Sequence, residues 1–135
     1  MTNPTKKIPG AYDANGNLVC ELSKENVETD NNHKFLFSKR GFFYGKQDKI
    51  TEIIIPEKIT KIGRRVFFDC HLLTNIIIPD SVTVIADYAF CECNSLSSVT
   101  YKGITYINKW MLIKNLEENG VVIGCDAFHH TRLQS

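Results

Sequence analysis

Ile50-Thr-Glu-Ile-Ile-Ile-Pro-Glu-Lys-Ile-Thr-Lys-Ile-Gly-Arg-Arg-Val-Phe-Phe-Asp-Cys-His-Leu72 is followed without a gap by Leu73-Thr-Asn-Ile-Ile-Ile-Pro-Asp-Ser-Val-Thr-Val-Ile-Ala-Asp-Tyr-Ala-Phe-Cys-Glu-Cys-Asn-Ser95, and the apolar letters recur at a step of 23. A fixed period of this size marks a solenoid, whose units cannot bury their own apolar faces and must stack on one another. The columns apolar in both units are Ile50/Leu73, Ile53/Ile76, Ile55/Ile78, Ile59/Val82, Ile62/Ile85, Phe67/Phe90 and Cys70/Cys93. Ile53 and Ile55 stand two apart, the spacing that turns one face of a short strand inward. Pro56 and Pro79 then end each strand, because proline offers no N–H to a continuing ladder. Ile59 and Ile62 turn the chain back, Gly63 or Ala86 leaves room for a bend, and Phe67 or Phe90 fills the centre. Equivalent strands of stacked coils lie about 4.8 Å apart in a parallel sheet, so identical side chains should form ladders.

A third unit starts in register at Leu96, with Val99 and Tyr101 in the strand columns, and then departs from the pattern. Ile123-Gly-Cys-Asp-Ala-Phe128 restores Ile85-Ala-Asp-Tyr-Ala-Phe90 after 38 residues instead of 23, so about fifteen extra residues fall at about 102–120. Gly103-Ile-Thr-Tyr-Ile-Asn-Lys-Trp-Met-Leu-Ile reads as a hairpin-like excursion packed on the stack, with Glu117-Glu-Asn-Gly120 as its turn.

The pattern I-x-x-I-x-I-P-x-x-(I/V)-x-x-I-(G/A)-x-x-(V/A)-F-x-x-C resembles the BspA-like leucine-rich repeat, closely over 50–101 and loosely over 121–133. That class is common in bacterial surface proteins and is also found in some protozoa. The resemblance implies a leucine-rich-repeat solenoid, mainly β, of short parallel strands stacked coil on coil with short helical turns. It also implies a binding role, often adhesion or host contact at the cell surface, with no catalytic residues to carry over. The expected organisation is an N-terminal extension and cap over 1–49 and a repeat solenoid over 50–135. Open arrays expose apolar side chains and strand edges, so natural ones carry atypical caps. His33–Tyr44, rich in phenylalanine, is the expected cap. Ala11–Cys20, centred on Asp-Ala-Asn-Gly, is an expected hairpin. The last coil stops soon after Phe128 with no polar capping unit, so the expectation is either a fragment of a longer array or an open end buried by another molecule, end-to-end self-association through this coil included.

Composition bounds the function classes. At 135 residues and 43% hydrophobic content, one substantial core is expected. A net charge of +1 argues against nucleic acid as a partner, which usually needs a basic surplus on one face. No stretch approaches the roughly 20 apolar residues of a membrane span, so a soluble chain is expected. The first ten residues lack the apolar core of a secretory signal. Localisation is thus open between an intracellular protein and a piece of a longer exported one.

Cys70, Cys91, Cys93 and Cys125 invite a thiol or metal reading, but Cys70 and Cys93 occupy one inward column, where cysteine acts as a small hydrophobe. The Cys91-Glu-Cys93 spacing lacks a zinc-knuckle pattern, and no cofactor motif is present. Stacking brings Cys70 and Cys93 within disulfide range without implying a bond. Cys125 with His129 or His130 would be a nucleophile and base only if paired in space, with an oxyanion device that nothing in the sequence suggests. An enzyme is not expected.

The outward strand column is more informative. Ile54 and Ile77 stand where repeats of this class usually carry Thr, Ser or a charge, as Thr100 does in the next unit. With the acidic rim of Glu57 and Asp80 and the lone Trp110, they form the candidate partner-binding set for a protein or glycan ligand. Two isoleucines are a small patch. Cover by the Trp110 excursion or by the N-terminal segment is the competing reading, and a structural spacer that binds nothing is the alternative function.

Overall fold

The computed structural model describes residues 7–30 and 45–135. The expected His33–Tyr44 cap therefore lies outside the described residues. The chain opens with β1 (Gly10–Tyr12) and β2 (Leu18–Glu21), an antiparallel hairpin. Its turn forms because Asp13 Oδ1 accepts from the amides of Asn15 and Asn17, both at 2.9 Å, and Gly16 takes φ +79°. Ser23 and Asn26 then build a reciprocal capping box that starts α1 (Lys24–Glu28).

Each repeat contributes two short strands. β3 (Glu52–Ile54), β5 (Asn75–Ile78) and β7 (Ser98–Tyr101) come from the Ile-x-Ile segments, and β4 (Lys61–Ile62), β6 (Val84–Ile85) and β9 (Val122–Ile123) from the second inward pair. β4, β6 and β9 run parallel in one sheet, with Ile62 beside Ile85 and Ile85 beside Ile123. β5 and β7 are parallel with Ile76 opposite Val99 and Ile78 opposite Tyr101. The repeat columns are thus neighbours in space. Phe67, Phe90 and Phe128 stack along the axis with ring centroids 5.4 and 5.2 Å apart, surrounded by the buried aliphatic columns.

The turns also stack. Arg65 donates its amide to the Asp87 carbonyl at 3.2 Å, Phe67 to Ala89 at 3.0 Å, and Asp69 to Cys91 at 2.9 Å. Tyr88, Phe90 and Glu92 repeat this toward Cys125, Ala127 and His129. These turns place non-glycine residues in the left-handed region at two fixed columns: Arg65, Tyr88 and Asp126 in one, Asp69, Glu92 and His130 in the other. A left-handed residue with a Cβ costs about 1–2 kcal/mol, and the inter-coil hydrogen bonds and the buried phenylalanine between the two columns offset that cost. The cysteine column adds a link: Cys93 Sγ lies 3.1 Å from the Phe67 carbonyl. Burial pushes the Cys93 thiol well above its ordinary range, against the opposing pull of the Cys70 amide. The thiol joins adjacent coils as well as filling space.

Four features depart from the expectations. First, β3 does not join the parallel ladder. It pairs antiparallel with β1, Ala11 opposite Ile53, and forms the sheet β2-β1-β3, separate from the sheet that holds β5 and β7. Second, the excursion is a hairpin only in its first part. β8 (Ile104–Tyr106) folds back antiparallel on β7 around Lys102-Gly103, and α2 (Lys109–Glu118) follows. Asn108 caps α2 by accepting from the Met111 amide, Leu112 and Leu116 are buried four residues apart, and Gly120 at φ +82° closes it. Third, the strand edge of β7 is not left open toward the C-terminus, because β8 pairs along it. Fourth, Gly63 answers to a close approach rather than a bend: a Cβ there would meet the Thr29 carbonyl oxygen at 2.5 Å. Ala86 holds the same column in the next coil, while at Gly124 a Cβ would lie 2.3 Å from Asp87 Oδ1.

The Thr29 approach belongs to the way the segment after α1 seals the first coil. The Val27 carbonyl accepts from Gly63, Glu28 Oε2 from the Thr60 amide at 2.7 Å, and Asp30 Oδ1 from the Arg64 amide at 2.7 Å. Val27 supplies what Ile62 supplies to Ala86 one coil later. Chiefly through these amide bonds, the Glu28 and Asp30 carboxyls are held below their ordinary values. Asp87 repeats the device on the Cys125 amide at 2.8 Å.

Candidate functional site

Coils one and two are hydrogen-bonded along β4–β6 and along their turns, yet their first strands, β3 and β5, belong to different sheets. The two coils are closed on two sides and parted on the third. The parting is a groove of about 720 Å³ whose walls carry Ile54, Ile77, Glu57, Asp80, Lys58 and Lys102. Strand phase explains the first two. Ile53 and Ile55 are buried, as are Ile76 and Ile78, so Ile54 and Ile77 between them must face outward. Ile54 is half-buried beside the β1 hairpin, whereas Ile77 is 62% exposed.

Glu57 and Asp80 follow Pro56 and Pro79 at the C-terminal ends of β3 and β5, both exposed. Neither makes a hydrogen bond or ion pair to any described residue. The third acid, Glu52, is held by Lys7 at 2.6 Å. Of the cations, Lys102 donates to Asn119 Oδ1 at 3.2 Å, and Lys58 stands in the left-handed region at φ 66°. Burial first, then the Asp80 carboxylate and Tyr106, raise the Tyr101 phenol above its ordinary value. The groove offers apolar contact along Ile54 and Ile77, and past the strand ends two carboxylates without an ion pair to any described residue.

Four of the six candidate residues, Ile54, Ile77, Glu57 and Asp80, therefore share one groove, and two lie outside it. Thr100 sits opposite Ile77 in the β5–β7 register, half-buried, with its hydroxyl 2.9 Å from that of Thr105. Trp110, in the first turn of α2, is 65% exposed with the Lys114 ammonium 5.0 Å from its ring centroid. It is not packed on the stack and does not cover Ile77. Lys58 and the Lys102-Gly103 turn were missed from sequence; Lys102-Gly103 carried a turn signal, but its place on a groove lined by the two preceding coils is not written in the local sequence.

The cysteines and histidines are dispersed. Cys70, Cys91 and Cys93 are buried, Cys20 is half-buried and Cys125 is exposed. Asp126 raises the Cys125 thiol, and His130 instead faces Glu92, with Nδ1 2.5 Å from its carboxylate. Among the described residues no three His, Cys, Asp or Glu side chains converge as a metal site would require. Nor is any described helix long and apolar enough to cross a membrane. A smaller cleft on the β4-β6-β9 face is lined by Lys61, Asp30, Arg64 and Asp87, whose charges pair at 3.1 and 3.5 Å.

No curated protein and no solved structure matches this chain. A family model does. It is described as BspA type leucine rich repeat region (6 copies), it matches residues 38–135, and it thus begins upstream of the first full unit at Ile50. That family implies a repeat solenoid and suggests a protein-interaction module of a generally non-enzymatic kind. With repeats stacked in parallel register, an aromatic ladder at their centre and this match over most of its length, the chain belongs to the BspA type leucine-rich repeat family.

Proposed function

We propose that this chain is a non-enzymatic stretch of leucine-rich-repeat solenoid that binds a protein or glycan ligand on its strand face, in a cell-surface or adhesion setting. The observation that carries the reading is the groove between β3 and β5, where Ile54 and Ile77 face outward beside Glu57 and Asp80. Exposed apolar side chains rimmed by charge are the usual mark of a contact surface. The N-terminal 1–49 serves as extension and cap and 50–135 as the repeat body, a division supported by the carboxylate seal from Glu28 and Asp30 onto the first coil. The test is capture from a whole-proteome extract and on a glycan array. Ile54→Asp with Ile77→Asp should abolish capture while leaving the far-ultraviolet circular dichroism unchanged. Empty captures by the unaltered chain would instead leave it a structural spacer. Self-association through the β9 edge has separate support in Val122, which is 65% exposed. Light scattering across a concentration series, with Val122→Lys as the control, tests it.

A further inference from the structure

The strand face is organised as two three-stranded sheets, β2-β1-β3 and β5-β7-β8, that end against each other without pairing. On the far sides the edges are satisfied: β1 lies along β3, and β7 along β5. The facing edges are the unusual ones. β3 and β5 come from identical columns of adjacent repeats, run with the same side-chain phase, and belong to coils that are hydrogen-bonded elsewhere. An unpaired strand edge is a row of alternating N–H and C=O groups, and it is a template for another extended chain.

The geometry points to strand addition: an extended peptide segment of a partner protein enters between β3 and β5, its main chain pairing with their facing edges and a lysine or arginine reaching Glu57 and Asp80. This rests on the strand face being the binding surface, as proposed above, and names what binds there. Backbone groups at ladder spacing recognise a polypeptide and not a glycan, which is the reason for committing to a peptide. The charges agree, because Glu57 and Asp80 have no described ion pair and both line the groove just past the ends of the two strands, whereas Glu52 is already paired with Lys7. Ile54 and Ile77 offer contact to every second side chain of the guest. Cα atoms of β3 and β5 approach within 8 Å of each other. A full guest strand needs two ladder steps, about 9.6 Å, so the opening must widen about the hydrogen-bonded β4–β6 side.

The test uses amide hydrogen exchange by NMR on the full chain, with a pool of capped hexapeptides that alternate valine or isoleucine with threonine between terminal lysines. In the free monomer the gap-facing amides of β3 and β5 should exchange much faster than those shared between β5 and β7, and the pool should protect them. N-methylation of alternate peptide amides should weaken binding more than about tenfold, since each lost main-chain hydrogen bond counts separately. Glu57→Gln with Asp80→Asn should weaken it by about threefold to tenfold, as expected for two exposed charge pairs. Protection of those amides in the free monomer would show the ladder closed and overturn the inference. Equal binding of the N-methylated pool, or no binding of either pool while Ile54→Asp with Ile77→Asp still abolishes ligand capture, would overturn strand addition and leave the broader binding role standing. Protection that grows with protein concentration alone, together with a dimer in light scattering, would make the guest a second copy and overturn the partner peptide.

Discussion

Replacing Phe90 by leucine should destabilise the chain about twice as much as replacing Phe128. Phe90 is fully buried and stacked on both sides, against Phe67 at 5.4 Å and Phe128 at 5.2 Å, whereas Phe128 is 3% exposed and stacks on one side only. Leucine keeps most of the buried apolar surface, so the difference isolates the ring contacts. An aromatic pair is worth about 0.5–1.5 kcal/mol beyond its area. Phe90→Leu therefore loses about 1–3 kcal/mol and Phe128→Leu about 0.5–1.5 kcal/mol by the same measure. Phe90→Ala adds the cavity and should reach about 3–5 kcal/mol, a large share of the stability of an ordinary domain. The assay is equilibrium urea unfolding followed by far-ultraviolet circular dichroism, and only variants with an unchanged m-value are compared. A double-mutant cycle between Phe67→Leu and Phe90→Leu should give a coupling above the roughly 0.3–0.5 kcal/mol scatter of independent sites. If Phe128→Leu costs as much as Phe90→Leu, or if that coupling vanishes, the rings fill space separately and the ladder is not a unit.

Acid should loosen the N-terminal seal. The Glu28 and Asp30 carboxyls are held below their ordinary 4.5 and 3.8, so the native state binds fewer protons than the unfolded one there; their stabilisation is present above those values and is lost as pH falls through the lower folded ones. Glu28→Gln with Asp30→Asn should flatten that limb of a stability–pH curve, and an unchanged limb would refute the seal. Native thiol titration should modify Cys20 and Cys125 and spare Cys70, Cys91 and Cys93 until the chain unfolds; Cys93→Ala should cost about 1–2 kcal/mol in urea unfolding through its lost bond to the Phe67 carbonyl. Gly63→Ala should destabilise by about 1–3 kcal/mol although alanine is native to that column at Ala86, because the Thr29 carbonyl oxygen stands 2.5 Å from the added carbon. A cost near zero would mean that Thr29 yields.

What could be read from the sequence was whatever the repeat states twice. Ile62 beside Ile85, Phe67 beside Phe90 and Cys70 in the column of Cys93 follow from counting, because stacking converts a constant interval along the chain into adjacency in space. The hairpin at Asp13–Asn17 was also legible, since its turn is local and written in aspartate, asparagine and glycine. The left-handed columns were not. Arg65, Tyr88 and Asp69 carry no glycine signal, and their conformation is imposed by the bonds between coils, for which one coil's residues hold no code. The α2 helix was partly legible, with Asn108 ahead of Leu112 and Leu116 and Gly120 behind, but the β-branched and aromatic run Ile104–Ile107 drew the whole excursion toward strand. At the site, comparing columns singles out Ile54 and Ile77, and their shared place on one groove follows. The groove itself does not follow. By their own letters Glu52–Ile54 and Asn75–Ile78 should pair as Asn75–Ile78 and Ser98–Tyr101 do, and their inward and outward faces are the same. What differs is the neighbour: β1 holds the far edge of β3 antiparallel, and β1 lies outside the repeat. Where equal sequence columns meet unequal neighbours, the stack departs from its own rule, and the groove between β3 and β5 is that departure.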